Sequence, residues 1–305
     1  MNIKIKLRTV WAFVQLTRPM FLFGGVMLHL LGIAIAASQG IAIDPGRAVL
    51  GQILVTSIQL MAHYSNEYFD FEVDRLIGDK RTWFSGGSGV LPAGQLDRSV
   101  ARQAALVCAA IAIMAIIVAA IQTPIILIIG TISFLGAWFY SSPPLSLMGS
   151  GWGELTTSIL TGLLVPLTGY VMQARRVDPG VLVIGAPLAL IYMAMIIAFQ
   201  FPDHVADAIV GKRTLTVRLG LRRAAVLHNV LIIGGFVSMF ISIAANQWWA
   251  AARFVWLAVP LALWQIVGVM WRSRSGWAHL NLLTGGAVAL SGVMPALWLL
   301  GFIIP

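Results

Sequence analysis

The chain has 305 residues, 59% of them hydrophobic and only 10% charged, with a formal charge of +9. A mean hydropathy of +0.89 excludes an ordinary water-soluble domain. The one cysteine, Cys108, excludes an intramolecular disulfide. The basic excess points to a lipid bilayer rather than to nucleic acid, because of where the cations fall.

In chain order, residues 1–18 carry Lys4, Lys6 and Arg8 ahead of Arg18-Pro19 and predict an interfacial helix. The next apolar run is too long for a cleaved signal core. Nine apolar stretches of bilayer length follow, at about 20–39, 48–69, 99–121, 124–140, 154–173, 181–200, 224–245, 253–271 and 279–303. Thr123-Pro124 forms the turn between the third and fourth. The expectation is an all-α integral membrane protein, a single domain over 1–305 with no soluble domain or long linker. With nine spans, sixteen of the twenty Lys and Arg fall on one side, and only Arg47, Arg175, Arg176 and Arg253 on the other. The positive-inside rule makes the first side cytoplasmic.

Seven of the eleven acidic residues lie in two short clusters, both on that side. The first is Asn66-Glu67-Tyr68-Phe69-Asp70-Phe71-Glu72-Val73-Asp74, with Asp79 close behind; the second is Asp203-His204-Val205-Ala206-Asp207. Carboxylates beside a membrane are costly and mark function. Asn66, Asp70 and Asp74 are four apart, as are Asp203 and Asp207, so each cluster sets its oxygens on one helical face. Rows of oxygen donors suit Mg²⁺ shared with a phosphate substrate.

The clusters are copies of one another. Asp70 matches Asp203, Asp74 matches Asp207, Gly78 matches Gly211, and Lys80-Arg81-Thr82 matches Lys212-Arg213-Thr214, with Asp79 inserted in the first. Four spans separate them, which predicts parallel repeats facing across a central cavity. Carboxylates followed by Lys and Arg suit a diphosphate: metal bridges its oxygens, and the cations take the remaining charge as the C–O bond breaks. Gly78, Gly211 and the run Ser85-Gly86-Gly87-Ser88-Gly89 let backbone approach phosphate. The apolar, aromatic-rich spans suit a hydrocarbon tail and an allylic cation. Together these point to a prenyl diphosphate.

The motifs Asn66-x-x-x-Asp70-x-x-x-Asp74 and Asp203-x-x-x-Asp207 resemble the two metal motifs of the UbiA superfamily of intramembrane prenyltransferases. The resemblance extends to Thr17-Arg18-Pro19, to Gly86-Gly87-Ser88-Gly89-Val90-Leu91-Pro92-Ala93-Gly94, to Tyr140-Ser141-Ser142-Pro143-Pro144-Leu145 with Gly151-Trp152-Gly153-Glu154, and to Gly211-Lys212-Arg213-Thr214-Leu215. The last block and the Gly-x-Gly-Glu element are similar to the MenA-like branch, which prenylates dihydroxynaphthoate in menaquinone synthesis. The sequence departs from the pattern at Pro144, where some members carry lysine, at Ser146 and Met148, where basic residues occur elsewhere, and at Glu67, where aspartate is usual.

The resemblance implies Mg²⁺-dependent transfer of a prenyl group to an aromatic or quinone-precursor acceptor, with the active site facing the cytoplasm. Asn66, Asp70, Asp74, Asp203 and Asp207 are the expected metal ligands. Lys80, Arg81, Lys212 and Arg213 are the expected diphosphate contacts. Tyr140 is either a belt aromatic or a substrate contact. His63 shares the helical face of Asn66 and Asp70 and serves as acceptor contact, base or internal hydrogen-bond partner. Glu67 is an acceptor contact or supports one, and Glu154 serves either its helix dipole or the site. Two rival functions remain at the level of sequence: a UbiA-type terpene cyclase, which needs no acceptor, and a transporter with a midplane ion site.

Overall fold

The computed structural model describes residues 3–78, 81–246, 248–275 and 280–304. All regular structure among them is helical. An amphipathic α1 (Ile3–Thr17) leads into α2 (Pro19–Ser38) and α3 (Pro45–Phe69), and a short α4 (Phe71–Ile77) continues α3 past a bend. After the glycine-rich loop come α5 (Arg98–Gln122), α6 (Ile125–Ser141), the single-turn α7 (Leu147–Ser150), α8 (Gly153–Ile159) and α9 (Val165–Ala174). The chain then forms α10 (Pro179–Ile209), α11 (Leu215–Leu219), α12 (Leu221–Asn246), α13 (Val259–Ser275) and α14 (Leu280–Ile303).

Of the four acids outside the two clusters, three start helices. Asp44, Asp97 and Asp178 accept bonds from Arg47 N (3.0 Å), Ser99 N (2.7 Å) and Gly180 N (2.7 Å), and two of these helices have proline in their first turn. Each carboxylate satisfies an orphan amide at a helix N-terminus. A π-helical turn, Leu160–Leu164, joins α8 to α9. Gly162 on it lies against α10 so closely that a Cβ there would sit 2.4 Å from Ala189 Cα.

Among the described residues, seven helical stretches are long and apolar enough to cross a membrane: Pro19–Ser38, Arg98–Gln122, Gly153–Ala174, Pro179–Ile209, Leu221–Ala245, Val255–Arg272 and Leu280–Ile303. Two of the nine expected spans fall outside that set. Ile125–Ser141 is apolar but has only 17 residues. α3 is long, but Gln52, Gln59, His63, Asn66 and Glu67 make it too polar. α10 runs through the middle of the bundle, packed on α8, α9, α12 and α14, while α3 lies between α5, α2 and α9. Val226, Val230, Ile233 and Val237 form an exposed apolar stripe on α12, and Ile121, Leu127 and Ile128 one at the α5–α6 turn. Surfaces of that kind belong against lipid.

Candidate active site

The two acidic segments meet at one end of the bundle, above a cavity of about 490 Å³. On the first, α3 ends at Asp70 and α4 follows, yet Asp70 N bonds Asn66 O at 2.8 Å and Asp74 N bonds Asp70 O at 2.9 Å. The four-residue register survives the bend, and Asn66, Asp70 and Asp74 all line the cavity. Asn66 Nδ2 donates to Asp70 Oδ2 (2.5 Å) and to Ser141 Oγ (3.1 Å), which leaves its carbonyl oxygen for another partner. On the second, Asp203 and Asp207 share the uninterrupted α10, just after Pro202, and line the opposite wall.

Lys212 joins the two rows. Its ammonium lies 2.8 Å from Asp70 Oδ1 and 3.8 Å from Asp207 Oδ1. Burial alone would pull its pKa down, but Asp70 and Asp207 outweigh burial and hold it above the ordinary lysine value. Asp74 has the opposite balance: burial, then Asp70 beside it, pushes its carboxyl well above the usual carboxylate range. A site that raises the pKa of its own acid in this way calls for additional positive charge.

The donors are hard oxygens, and Asp203 Oδ1 is buried without a hydrogen-bond partner. That chemistry fits Mg²⁺. Among the described residues, however, no three His, Cys, Asp or Glu side chains stand close enough to hold a metal unaided.

Below the acids, the cavity wall is aromatic and apolar. Phe21 sits at the centre of a cluster, with ring centroids 5.9 Å from His63, 6.1 Å from Phe84 and 5.8 Å from Phe199. Tyr140 lines the same space. His63 Nδ1 lies 3.0 Å from the Thr17 carbonyl oxygen. A carbonyl only accepts, so Nδ1 carries the proton and Nε2 keeps its lone pair.

Four predicted contacts do not line the cavity. Glu67, 1% exposed, is an anchor: its Oε1 accepts from Arg18 Nε (2.9 Å), Arg18 Nη2 (2.6 Å) and Ser88 N (2.6 Å), and its Oε2 from Ser88 Oγ (2.7 Å). Glu154, also 1% exposed, accepts from Gln200 Nε2 (2.6 Å) and Leu215 N (2.8 Å), while Gln200 Oε1 accepts from Thr216 N and Oγ1. Arg81 donates to Ser88 O and underlies the glycine loop. Arg213 is exposed, its backbone N–H bonded to Gly149 O. Lys80 and Asp79 lie outside the described residues. The loop itself passes so near the acids that a Cβ on Gly87, at φ +68°, would sit 2.0 Å from Asp74 Oδ2.

Phe21, Gln59, Tyr192, Phe199 and Gln200 are parts of this region that composition and motif did not single out. Their positions on the cavity-facing helices were the available signal.

A family profile described as the UbiA prenyltransferase family matches residues 25–283. The chain is 27% identical over 248 residues to a Mycobacterium tuberculosis protein named 1,4-dihydroxy-2-naphthoate octaprenyltransferase, covering 80% of this chain and 81% of that one. It is 26% identical over 237 residues to the digeranylgeranylglyceryl phosphate synthase of Thermococcus gammatolerans, covering 77% and 79%. The fold matches that of a UbiA homolog from Archaeoglobus fulgidus bound to GPP and Mg²⁺, with a TM-score of 0.58, 18% identity and 96% and 100% of the two chains covered.

Proposed function

The chain belongs to the UbiA prenyltransferase family, and we propose that this membrane-embedded prenyltransferase moves a prenyl group from its diphosphate to a hydroxylated aromatic acceptor of the naphthoate type in menaquinone biosynthesis. The observation that carries the reading is Lys212 held between Asp70 and Asp207 at the mouth of an apolar cavity. Acids and a cation on opposite walls make a polar head site; the aromatic space below takes a hydrocarbon tail. The relatives named for naphthoate prenylation, and the fold neighbour holding GPP with Mg²⁺, support it.

Asp70, Asp74, Asp203 and Asp207, with the Asn66 carbonyl oxygen, are the groups that would hold Mg²⁺. Bound there with the substrate, the metal would neutralise charge building on the departing diphosphate. Lys212 donates to the same oxygens. Phe21, Phe84 and Phe199 present ring faces and edges where the allylic cation forms. The C–O bond of the prenyl diphosphate breaks, and a C–C bond forms to the acceptor ring. His63 Nε2 takes the proton released as the ring regains aromaticity. Glu67 and Glu154 are positioning residues that fix the two loops, and Tyr140 borders the reacting end. In the membrane, nine spans with both acidic segments on the cytoplasmic side fit the distribution of Lys and Arg. α3 and α6 then cross as polar-faced and short members of the bundle, and the segments act as halves of a parallel repeat.

The test uses the purified protein in nanodiscs with radiolabelled geranyl diphosphate. Prenylated product is expected only with 1,4-dihydroxy-2-naphthoate and Mg²⁺ together, and EDTA abolishes it. Labelled hydrocarbon without acceptor would identify a cyclase instead, and no consumption under any condition would end the reading.

A further inference from the structure

Two polar groups in the apolar part of the cavity have no partner among the described residues. Gln59 Oε1 and Tyr192 OH are both buried without a hydrogen bond, and both residues line the cavity. Tyr192 is 5% exposed. The Gln59 amide is oriented by its Nε2, which donates to Phe21 O at 3.4 Å, so its oxygen is the free end.

Their placement is not random. Gln59 precedes Asp70 by eleven residues, and Tyr192 precedes Asp203 by eleven. They are matching positions in the two related segments, about 16 Å below the first aspartate of each at 1.5 Å per helical residue. Both lie beside neighbouring glycines of α2. A Cβ on Gly25 would lie 2.0 Å from Gln59 Oε1, and one on Gly24 would lie 3.4 Å from Tyr192 OH. The glycine pair of α2 leaves the room these polar ends occupy.

A prenyl tail asks only for apolar walls, and an unpaired amide oxygen and hydroxyl are costly there. A ligand hydroxyl can donate to the amide oxygen or accept from the phenol. We propose that Gln59 and Tyr192 form a subsite for a ring hydroxyl of the acceptor. At that depth the two groups border the apolar space below the acids, where the acceptor ring would lie beside the prenyl tail. The proposal rests on the prenyl-transfer reading above and adds which part of the second substrate is recognised, and by what.

The experiment compares wild type with Tyr192→Phe and Gln59→Leu, under anaerobic conditions. Inhibition or dissociation constants are measured for 1,4-dihydroxy-2-naphthoate and for 1-hydroxy-2-naphthoate, which lacks one ring hydroxyl. Wild type is expected to prefer the dihydroxy compound by roughly 10-fold or more, the effect of one neutral hydrogen bond. Each variant loses most of that preference, while the KM for geranyl diphosphate stays within about 2-fold of wild type. Tyr192→Phe removes only an unpartnered oxygen, so its melting temperature is unchanged or higher. A tyrosine serving packing alone would leave the preference intact. Equal discrimination in wild type and variants overturns the subsite while prenyl transfer stands. So does a selective rise in geranyl diphosphate KM, which would place the pair on the tail path. Absence of prenyl transfer by wild type overturns the underlying reading first.

Discussion

The two acidic segments are related in sequence but held by different physics. The first bends at Asp70 and is followed by the loop 85–89; the second stays on the straight run of α10. Each has a buried glutamate behind it, outside the cavity, that accepts a backbone N–H from the loop following the aspartates: Ser88 N for Glu67, Leu215 N for Glu154. Glu67 is neutralised by a cation, Arg18, at 2.6 Å. Glu154 has only the amide of Gln200 and the chain N–H, and its Oε2 has no partner. Behind the aspartates, the glycine-rich loop is therefore fastened to a glutamate paired with a cation, and the Lys212 loop to one whose donors are uncharged. Positioning is common to both segments; the means are not.

If both halves hold the metal and diphosphate, removing an acid from either should be equally damaging. Asp70→Asn and Asp207→Asn are each expected to lower kcat by about 10²-fold or more, as for the loss of one preorganised electrostatic group. Steady-state assays in nanodiscs measure this. A large loss for one and near-normal turnover for the other would make the site one-sided.

The anchors should differ where the acids do not. Glu67→Gln removes the charge facing Arg18 and weakens four hydrogen bonds. A loss of about 2 kcal/mol is expected, between the cost of a charged hydrogen bond and that of breaking a buried pair. Glu154→Gln keeps an oxygen for Leu215 N and has no cation to strand, so its cost should be under about 1 kcal/mol. Denaturation in detergent, followed by tryptophan fluorescence, separates them. Equal losses would erase the distinction between the two fastenings.

Much of this was legible in the chain because the physics was local. Four-residue spacing survives even a bend at Asp70, so Asn66, Asp70, Asp74, Asp203 and Asp207 reach one cavity as spacing predicts. Asp44, Asp97 and Asp178 look isolated in sequence and turn out to cap helices. Sequence leaves Glu67 and Glu154 open between substrate contact and support for a plain reason. Proximity along the chain does not say which way a side chain turns, and Glu67 turns away from Asn66 and Asp70 toward Arg18, 49 residues earlier. Gln59 and Tyr192 were invisible for the converse reason: each reads as an ordinary polar residue of an apolar helix until the cavity shows that it has no partner.

The neighbouring cations Lys212 and Arg213 give the finest test of the comparison. Sequence assigns both to the diphosphate, since the pair repeats Lys80-Arg81. Structure separates them. Lys212 is turned inward onto Asp70 and Asp207, whereas Arg213 is exposed and, among the described residues, bonded through its backbone N–H to Gly149 O. Lys212→Ala removes a charge-assisted donor and is expected to reduce kcat/KM for prenyl diphosphate by at least about 10-fold, leaving acceptor KM within about 2-fold. Arg213→Ala should change kcat/KM by less than about 3-fold, because an exposed charge is screened by water and salt. Raising ionic strength should erase most of that small effect and little of the effect at Lys212. Equal losses at both positions would mean that the Lys212 loop rearranges to bring Arg213 inward when substrate binds. The fastening at Glu154, which has no paired cation, would then be what permits the movement, and the Arg18 pair at Glu67 what denies it to the glycine-rich loop.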